Sequence, residues 1–211
     1  IDVEQSYSWI TRDYDYPHAA VRLRFFRVVA WRGTLQGREA QAFAWQAPGE
    51  PAVCPMLPAN APVLRALALP AVYGISNAAV LGAEAFLQRA ERALTRGLRL
   101  LQFREKAMEE AAQMALARRL VGLAHVHGAR VLANGQPDFA RKIGADGLHV
   151  TSATLRTMQV RPHFPLVGAS CHDAQELRRA AAAGAPLPGD LVVRATDAGG
   201  NPVPVTVELA S

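Results

Sequence analysis

One rhythm limits the fold of this chain more than any other feature. Between residues 69 and 185 a short apolar run is followed by a polar turn, an amphipathic stretch and a glycine, and the pattern then repeats. The runs at 71–75, 98–103, 129–133, 147–150 and 166–170 predict buried strands. The stretches at 83–95, 108–127, 137–143, 153–158 and 173–183 predict helices. Gly97, Gly128, Gly144 and Gly184 close four of them, because glycine reaches the left-handed conformation of a helix cap without a Cβ penalty. Buried strands alternating with amphipathic helices build a parallel sheet wrapped by helices. The expected class is α/β, an incomplete TIM-like (βα) barrel. The segment supplies five βα units, and a closed barrel needs about eight.

The flanks have other textures. Val21-Arg22-Leu23-Arg24-Phe25 alternates apolar and charged residues and runs on through Trp31. With Arg32-Gly33 as the turn and Phe43-Ala44-Trp45 as a short following strand, residues 1–47 read as antiparallel β. Pro48, Pro51, Pro55, Pro58 and Pro62 favour an extended connector, and residues 61–69 a brief helix. Past residue 185 the runs 191–193 and 203–209 flank Asp197-Ala198-Gly199-Gly200-Asn201, which predicts a β-hairpin without a crossover helix. The expected organisation is residues 1–68, 69–185 and 186–211.

Composition narrows the function. Half of the residues are apolar and 19% are charged, which suits a packed core and not a disordered chain. No stretch approaches the roughly 20 consecutive apolar residues of a membrane helix, and residues 1–5 lack the apolar core of a signal peptide. A cytoplasmic location is expected, with Cys54 and Cys171 as idle thiols in a reducing compartment. The first residue, Ile1 rather than Met, leads to the expectation that the natural start lies upstream. The net charge of +5 rests on arginine, since Lys106 and Lys142 are the only lysines. Arginine forks suit phosphate and carboxylate. Here they are scattered along helices, which favours small phosphorylated partners over nucleic acid.

Two constellations carry chemistry. In the first, Tyr16-Pro17-His18, the strands through Phe25 and Trp31, Gly37-Arg38-Glu39-Ala40-Gln41, Trp45 and Leu57-Pro58-Ala59-Asn60 occur in one order. This set resembles the C-terminal half of MutT-like Nudix hydrolases, which release pyrophosphate from oxidised guanine nucleotides. The resemblance implies a partial Nudix α/β/α-type domain, mainly β in this portion. It also implies that Glu39 helps to hold a catalytic Mg2+ through a hard carboxylate oxygen, and that Asn60 reads the purine edge with an amide that both donates and accepts. The Nudix box itself would precede Ile1. The run Arg104-Glu105-Lys106-Ala107-Met108-Glu109-Glu110 imitates it one residue out of register and is rejected.

In the second constellation polar residues gather where predicted strands end: Gln102-Phe103-Arg104-Glu105-Lys106, Asn134-Gly135 and Gly168-Ala169-Ser170-Cys171-His172. Strand C-termini are where loops converge into sites in such folds, and a guanidinium beside an ammonium suits a phosphorylated ligand. With Gly144-Ala145-Asp146-Gly147-Leu148-His149, the order resembles thiamine phosphate synthase and its relative TenI over residues 69–185. The resemblance implies that Gln102, Arg104, Lys106, Asn134 and Ser170 bind an aminopyrimidine diphosphate, which the synthase joins to a thiazole phosphate. Gly135 and Thr154 stand where the synthase carries acidic magnesium ligands, so Mg2+ is expected for the Nudix-like part and not for the barrel. Thr196-Asp197-Ala198 stands where TenI has its acid-base histidine. His125 and His127 read as helix-end residues and His172 as a feature of the whole group.

The expectation is therefore a fragment of a bifunctional protein, inactive by itself, whose ligands are a nucleoside triphosphate, an aminopyrimidine diphosphate or a thiazole phosphate. A non-catalytic binder of thiamine-related phosphates and a basic nucleic-acid adaptor are the alternatives; the second has no aromatic-basic clusters to support it.

Overall fold

The computed structural model describes residues 1–37, 39, 42–47, 53, 55–173, 175–176, 179–180, 190–196 and 202–210, with the backbone alone at 62, 190–196 and 202–210. The backbone divides into two compact units, Ile1–Ala68 and Leu69–Ser211.

The first unit is a long two-stranded ribbon followed by a short helix. Strand β1 (Asp2–Tyr16) pairs antiparallel with β2 (Ala19–Arg32), with Asp13 opposite Arg22 and Tyr16 opposite Ala19. The turn lies at Pro17-His18, not at Arg32-Gly33, and Phe43–Trp45 forms no strand. Asp13 accepts two hydrogen bonds from Arg22, at 2.6 and 3.0 Å, and this ion pair lowers the Asp13 pKa. Arg27 stacks its guanidinium 4.5 Å from the centre of the Trp9 ring. The ribbon buries Ile10, yet Val3, Tyr7, Phe26, Val29 and Trp31 remain exposed on it. A 3₁₀ turn (Pro58–Asn60) leads into α1 (Ala61–Leu67).

The second unit is α/β with a parallel sheet. Strands β3 (Gly74–Ile75), β4 (Leu100–Phe103), β5 (Arg130–Asn134), β6 (Gly147–Val150) and β7 (Leu166–Ser170) lie side by side in parallel. Helices α2 (Ala78–Leu81), α3 (Ala83–Thr95), α4 (Glu110–Val126), α5 (Pro137–Ile143) and α6 (Ser152–Thr157) connect them. Strand β3 is shorter than the predicted 71–75, and α2 is not legible in the sequence pattern. Of the predicted helix 173–183, residues 175–176 and 179–180 are helical, and Gly184 lies outside the described residues. The chain then forms β8 (Asp190–Thr196) and β9 (Pro202–Ala210). Strand β9 pairs antiparallel with both β7 and β8, so the order is β3-β4-β5-β6-β7-β9-β8. The loop 197–201 of this hairpin lies outside the described residues.

Side chains alternate across the sheet. One face carries Leu101, Phe103, Val131, Ala133, Leu148, Val150, Val167 and Ala169, which pack on Leu94, Leu116, Leu120 and Ala124 of the helices to form the main core. The register places Gln102 beside Leu132, Asn134 beside His149, and His149 beside Gly168. These residues share the other face, where Leu100, Leu132 and Leu166 make a small cluster with Leu69 and Tyr73 packed on it. Gly147 is required by close strand packing: a Cβ there would lie 2.3 Å from the Leu166 carbonyl oxygen.

Candidate functional site

Above the small cluster the same face turns polar. Gln102, 3% exposed, is the third residue of β4, and the half-buried Asn134 and Ser170 are the last residues of β5 and β7. Arg104 and Lys106 follow β4 directly and are exposed. Among the described residues neither forms an ion pair. Five polar side chains predicted from the sequence thus sit at the C-terminal rim of β4, β5 and β7.

Glu105 does not pair with its cationic neighbours. Its carboxylate, 3% exposed, accepts hydrogen bonds from the backbone N–H of Ala78 (2.7 Å) and of Ala79 (2.9 Å), the first residues of α2. The Arg104 N–H donates to Ser76 Oγ at 2.8 Å, the Ser76 N–H to the Gln102 carbonyl at 2.9 Å, and the Gln113 amide to the Glu105 carbonyl at 2.8 Å. The loops after β3 and β4 are thereby joined by a buried anion on helix-terminal amides, which carry partial positive charge. With Glu105 turned inward, Arg104 and Lys106 face solvent on either side of it.

His149, 1% exposed, fills the centre of this face. Its Nδ1 lies 3.2 Å from the Tyr73 hydroxyl and its Nε2 lies 3.1 Å from Ser170 Oγ. Burial, and next the nearby positive charge of Arg104, lower its pKa to about 4, so the ring is neutral at neutral pH. Gly168 makes room for it: a Cβ at 168 would lie 2.7 Å from His149 Nδ1. In the sequence His149 enters only as the end of the run 144–149 and Tyr73 only as a strand residue, with no site role given to either. The detectable signal is a histidine inside an apolar run, paired with glycine on the adjoining strand.

Thr154 is bonded within its own helix start. Its hydroxyl lies 3.0 Å from that of Thr151, whose oxygen also accepts from the Thr154 N–H at 3.2 Å and caps α6. Gly135 offers only backbone, its N–H donating to the His149 carbonyl at 3.1 Å. Among the described residues no three of His, Cys, Asp and Glu come together as a metal site. This donor set does not fit Mg2+ at the rim.

Three further histidines lie outside the Tyr73–His149–Ser170 row. His125 Nε2 lies 3.0 Å from both oxygens of Asp146, whose carboxylate also accepts from the Val131 N–H at 2.7 Å. His127 is the C-cap residue of α4. The His172 N–H donates to Glu176 at 2.9 Å. Cys171 is buried beneath the rim, and Cys54 lies outside the described residues.

The remaining predicted residues lie in the first unit. Asn60 ends the 3₁₀ turn and its amide nitrogen lies 3.6 Å from Met56 Sδ. Glu39 occupies a turn whose neighbours Arg38 and Ala40 lie outside the described residues.

No helix among the described residues is long and apolar enough to cross a membrane. A thiamine-phosphate synthase of Thermus thermophilus is 38% identical over 98 residues, 46% of this chain and 48% of that protein. One from Thermosynechococcus vestitus is 37% identical over 106 residues, 49% of this chain and 30% of its own length. The thiamine biosynthesis bifunctional protein ThiM/ThiE of Symbiobacterium thermophilum is 37% identical over 98 residues, 45% of this chain and 20% of that protein. A solved thiamine phosphate pyrophosphorylase from Pyrococcus furiosus covers 54% of this chain and 55% of its own, at 22% identity and a TM-score of 0.44. The chain spans about half, or less, of the length of the curated relatives it matches. The thiamine monophosphate synthase (TMP-TENI) profile matches residues 72–195, more than half of the sequence, and the chain belongs to that family.

Proposed function

We propose that the second unit binds a phosphorylated thiamine precursor, an aminopyrimidine diphosphate, at the rim of β4, β5 and β7. The observation that supports this most is the placement of Arg104 and Lys106 in solvent while Glu105, the anion between them, is turned inward onto α2. Two exposed cations then accompany Gln102, Asn134 and Ser170 at the same strand ends, donors suited to phosphate oxygens and a pyrimidine edge. Arg104 is assigned to the diphosphate as a fork, Lys106 as a point charge, and Asn134 and Gln102 to orientation of the ring.

Because Gly135 and Thr154 bring no carboxylate to the rim, this chain is proposed to bind the diphosphate without magnesium-assisted transfer of its own. Titration calorimetry tests both parts. Aminopyrimidine diphosphate should bind with and without magnesium, Arg104→Ala should weaken it at least about tenfold, and adding thiazole phosphate with magnesium should yield no thiamine phosphate. Equal affinity of wild type and Arg104→Ala would refute the site. Turnover would refute the binding-only reading.

A second reading concerns residues 1–68. The ribbon β1–β2 exposes Val3, Tyr7, Phe26, Val29 and Trp31, as two strands of a larger sheet would. Isolated two-stranded ribbons are at best marginal in water. The ribbon is compatible with a larger sheet, and the residue order from Tyr16 to Asn60 is what favours a Nudix-type origin, with Glu39 as a magnesium ligand and Asn60 on the base. Joined to a Nudix box, residues 1–68 should hydrolyse an oxidised guanine nucleoside triphosphate with magnesium, and Glu39→Gln should abolish most of that activity. Unchanged activity in Glu39→Gln would exclude the assignment.

A further inference from the structure

Two strands and the residue before a third contribute to one hydrogen-bonded row on the polar face: Tyr73 just before β3, His149 on β6 and Ser170 on β7. The middle member is closed off from water, whereas Ser170 is half-buried at the rim. A serine hydroxyl rotates freely unless something holds it, and a neutral imidazole has one nitrogen that donates and one that accepts. With a hydroxyl at each ring nitrogen, two arrangements satisfy the row. In one, Tyr73 donates to Nδ1 and Nε2–H donates to Ser170 Oγ. In the other, every proton runs in the reverse direction and the Ser170 proton is consumed by His149.

We propose that His149 is a positioning residue for the ligand diphosphate, anchored at Nδ1 by the Tyr73 hydroxyl and donating from Nε2 to Ser170 Oγ, so that the Ser170 proton points out toward a phosphate oxygen. This rests on the reading of the rim as a diphosphate site. Two features beyond the contacts support it. An anionic ligand beside Arg104 and Lys106 requires donors, and the first arrangement alone leaves Ser170 as one. Gly168 also keeps the ring seated, since any larger residue would meet its Nδ1 edge. The lowered pKa of His149 keeps the ring neutral, as a row with one donor and one acceptor at the ring requires.

The test is a double-mutant cycle on the 211-residue chain, read as affinity for aminopyrimidine diphosphate by calorimetry. Ser170→Ala and His149→Phe should each weaken binding about tenfold, the loss of one hydrogen bond to a charged group. The double variant should be no weaker than the weaker single, because His149 acts through Ser170. His149→Gln, whose amide can reach the Nε2 position, should regain most of the affinity. A residue that only supports packing would give losses that multiply and no rescue by Gln, and either result overturns the proposal. If His149→Phe does not fold, Tyr73→Phe with Ser170→Ala completes the same cycle, and multiplying losses overturn it equally. No binding by wild type would refute the diphosphate site itself, a result distinct from binding with multiplying losses.

Discussion

The inward carboxylate of Glu105 can be removed with almost no change of shape by Glu105→Gln. It accepts from two backbone N–H groups, at 2.7 and 2.9 Å, and is 3% exposed. Hydrogen bonds to a charged group are worth about 1.5–3 kcal/mol each. Glutamine keeps one acceptor oxygen but turns an NH2 donor toward the other amide, so one bond is lost and the second is no longer charge-assisted. The expected destabilisation is about 2–3 kcal/mol, or on the order of 6–10 °C in Tm for a unit of this size. The assay reads mainly the helices of this unit. Trp9, Trp31 and Trp45, all the tryptophans of the chain, lie in residues 1–68, while α2 to α6 lie in residues 69–211. Helical ellipticity during urea unfolding should therefore move to lower urea. Lys106→Ala, one residue away and exposed, should stay within about 0.5 kcal/mol of wild type. If Glu105→Gln unfolds at the same urea concentration as wild type, the carboxylate does not hold the two loops together and the account of the exposed cations fails with it.

Gly168→Ala places a Cβ 2.7 Å from His149 Nδ1 and should destabilise the second unit by about 1–3 kcal/mol; a Tm equal to wild type would show that the ring has room to move. Leu120→Ala, at a fully buried position of α4, should cost about 2–5 kcal/mol by the same measurement, and a loss under about 1 kcal/mol would contradict its place in the core. His149 titrates at about 4 in the fold against 6.5 unfolded, so the unfolded chain takes up its proton first as pH falls. Its contribution is present above pH 6.5 and is lost between about 6.5 and 4, on the order of 3 kcal/mol in total. Urea midpoints across that window should fall less steeply in His149→Gln, and parallel curves for the two proteins would refute the assignment.

What the sequence carries plainly is the helical layer and the buried strands. The bounds 83–95, 137–143, 147–150 and 166–170 follow from long amphipathic stretches ended by glycine and from short apolar runs. Short elements set by tertiary partners are illegible. Helix α2 spans four residues, and its start is capped by Glu105 from the loop after β4. Phe43–Trp45 has strand-forming residues but pairs with no strand, since β-propensity expresses a packed neighbour rather than the backbone itself. The turn at Pro17-His18 lacks the glycine that draws attention to Arg32-Gly33. At the rim, Gln102, Arg104 and Lys106 are visible because one strand end carries all three. The row through His149 is hidden because its members stand 76 and 21 residues apart and only strand order brings them together. Glu105 misleads for a related reason: sequence proximity suggests its cationic neighbours, while its bonds run 27 and 26 residues back along the chain.

The reversal of direction at β9 has a topological outcome. Strand β7 offers one free ladder beyond β6, and β9 occupies it over Leu166 to Ser170 in the opposite sense. A parallel strand brought by any further βα unit would need those same N–H and C=O groups. The two partners exclude each other: the edge of β7 holds either the β8–β9 hairpin or a parallel neighbour, never both.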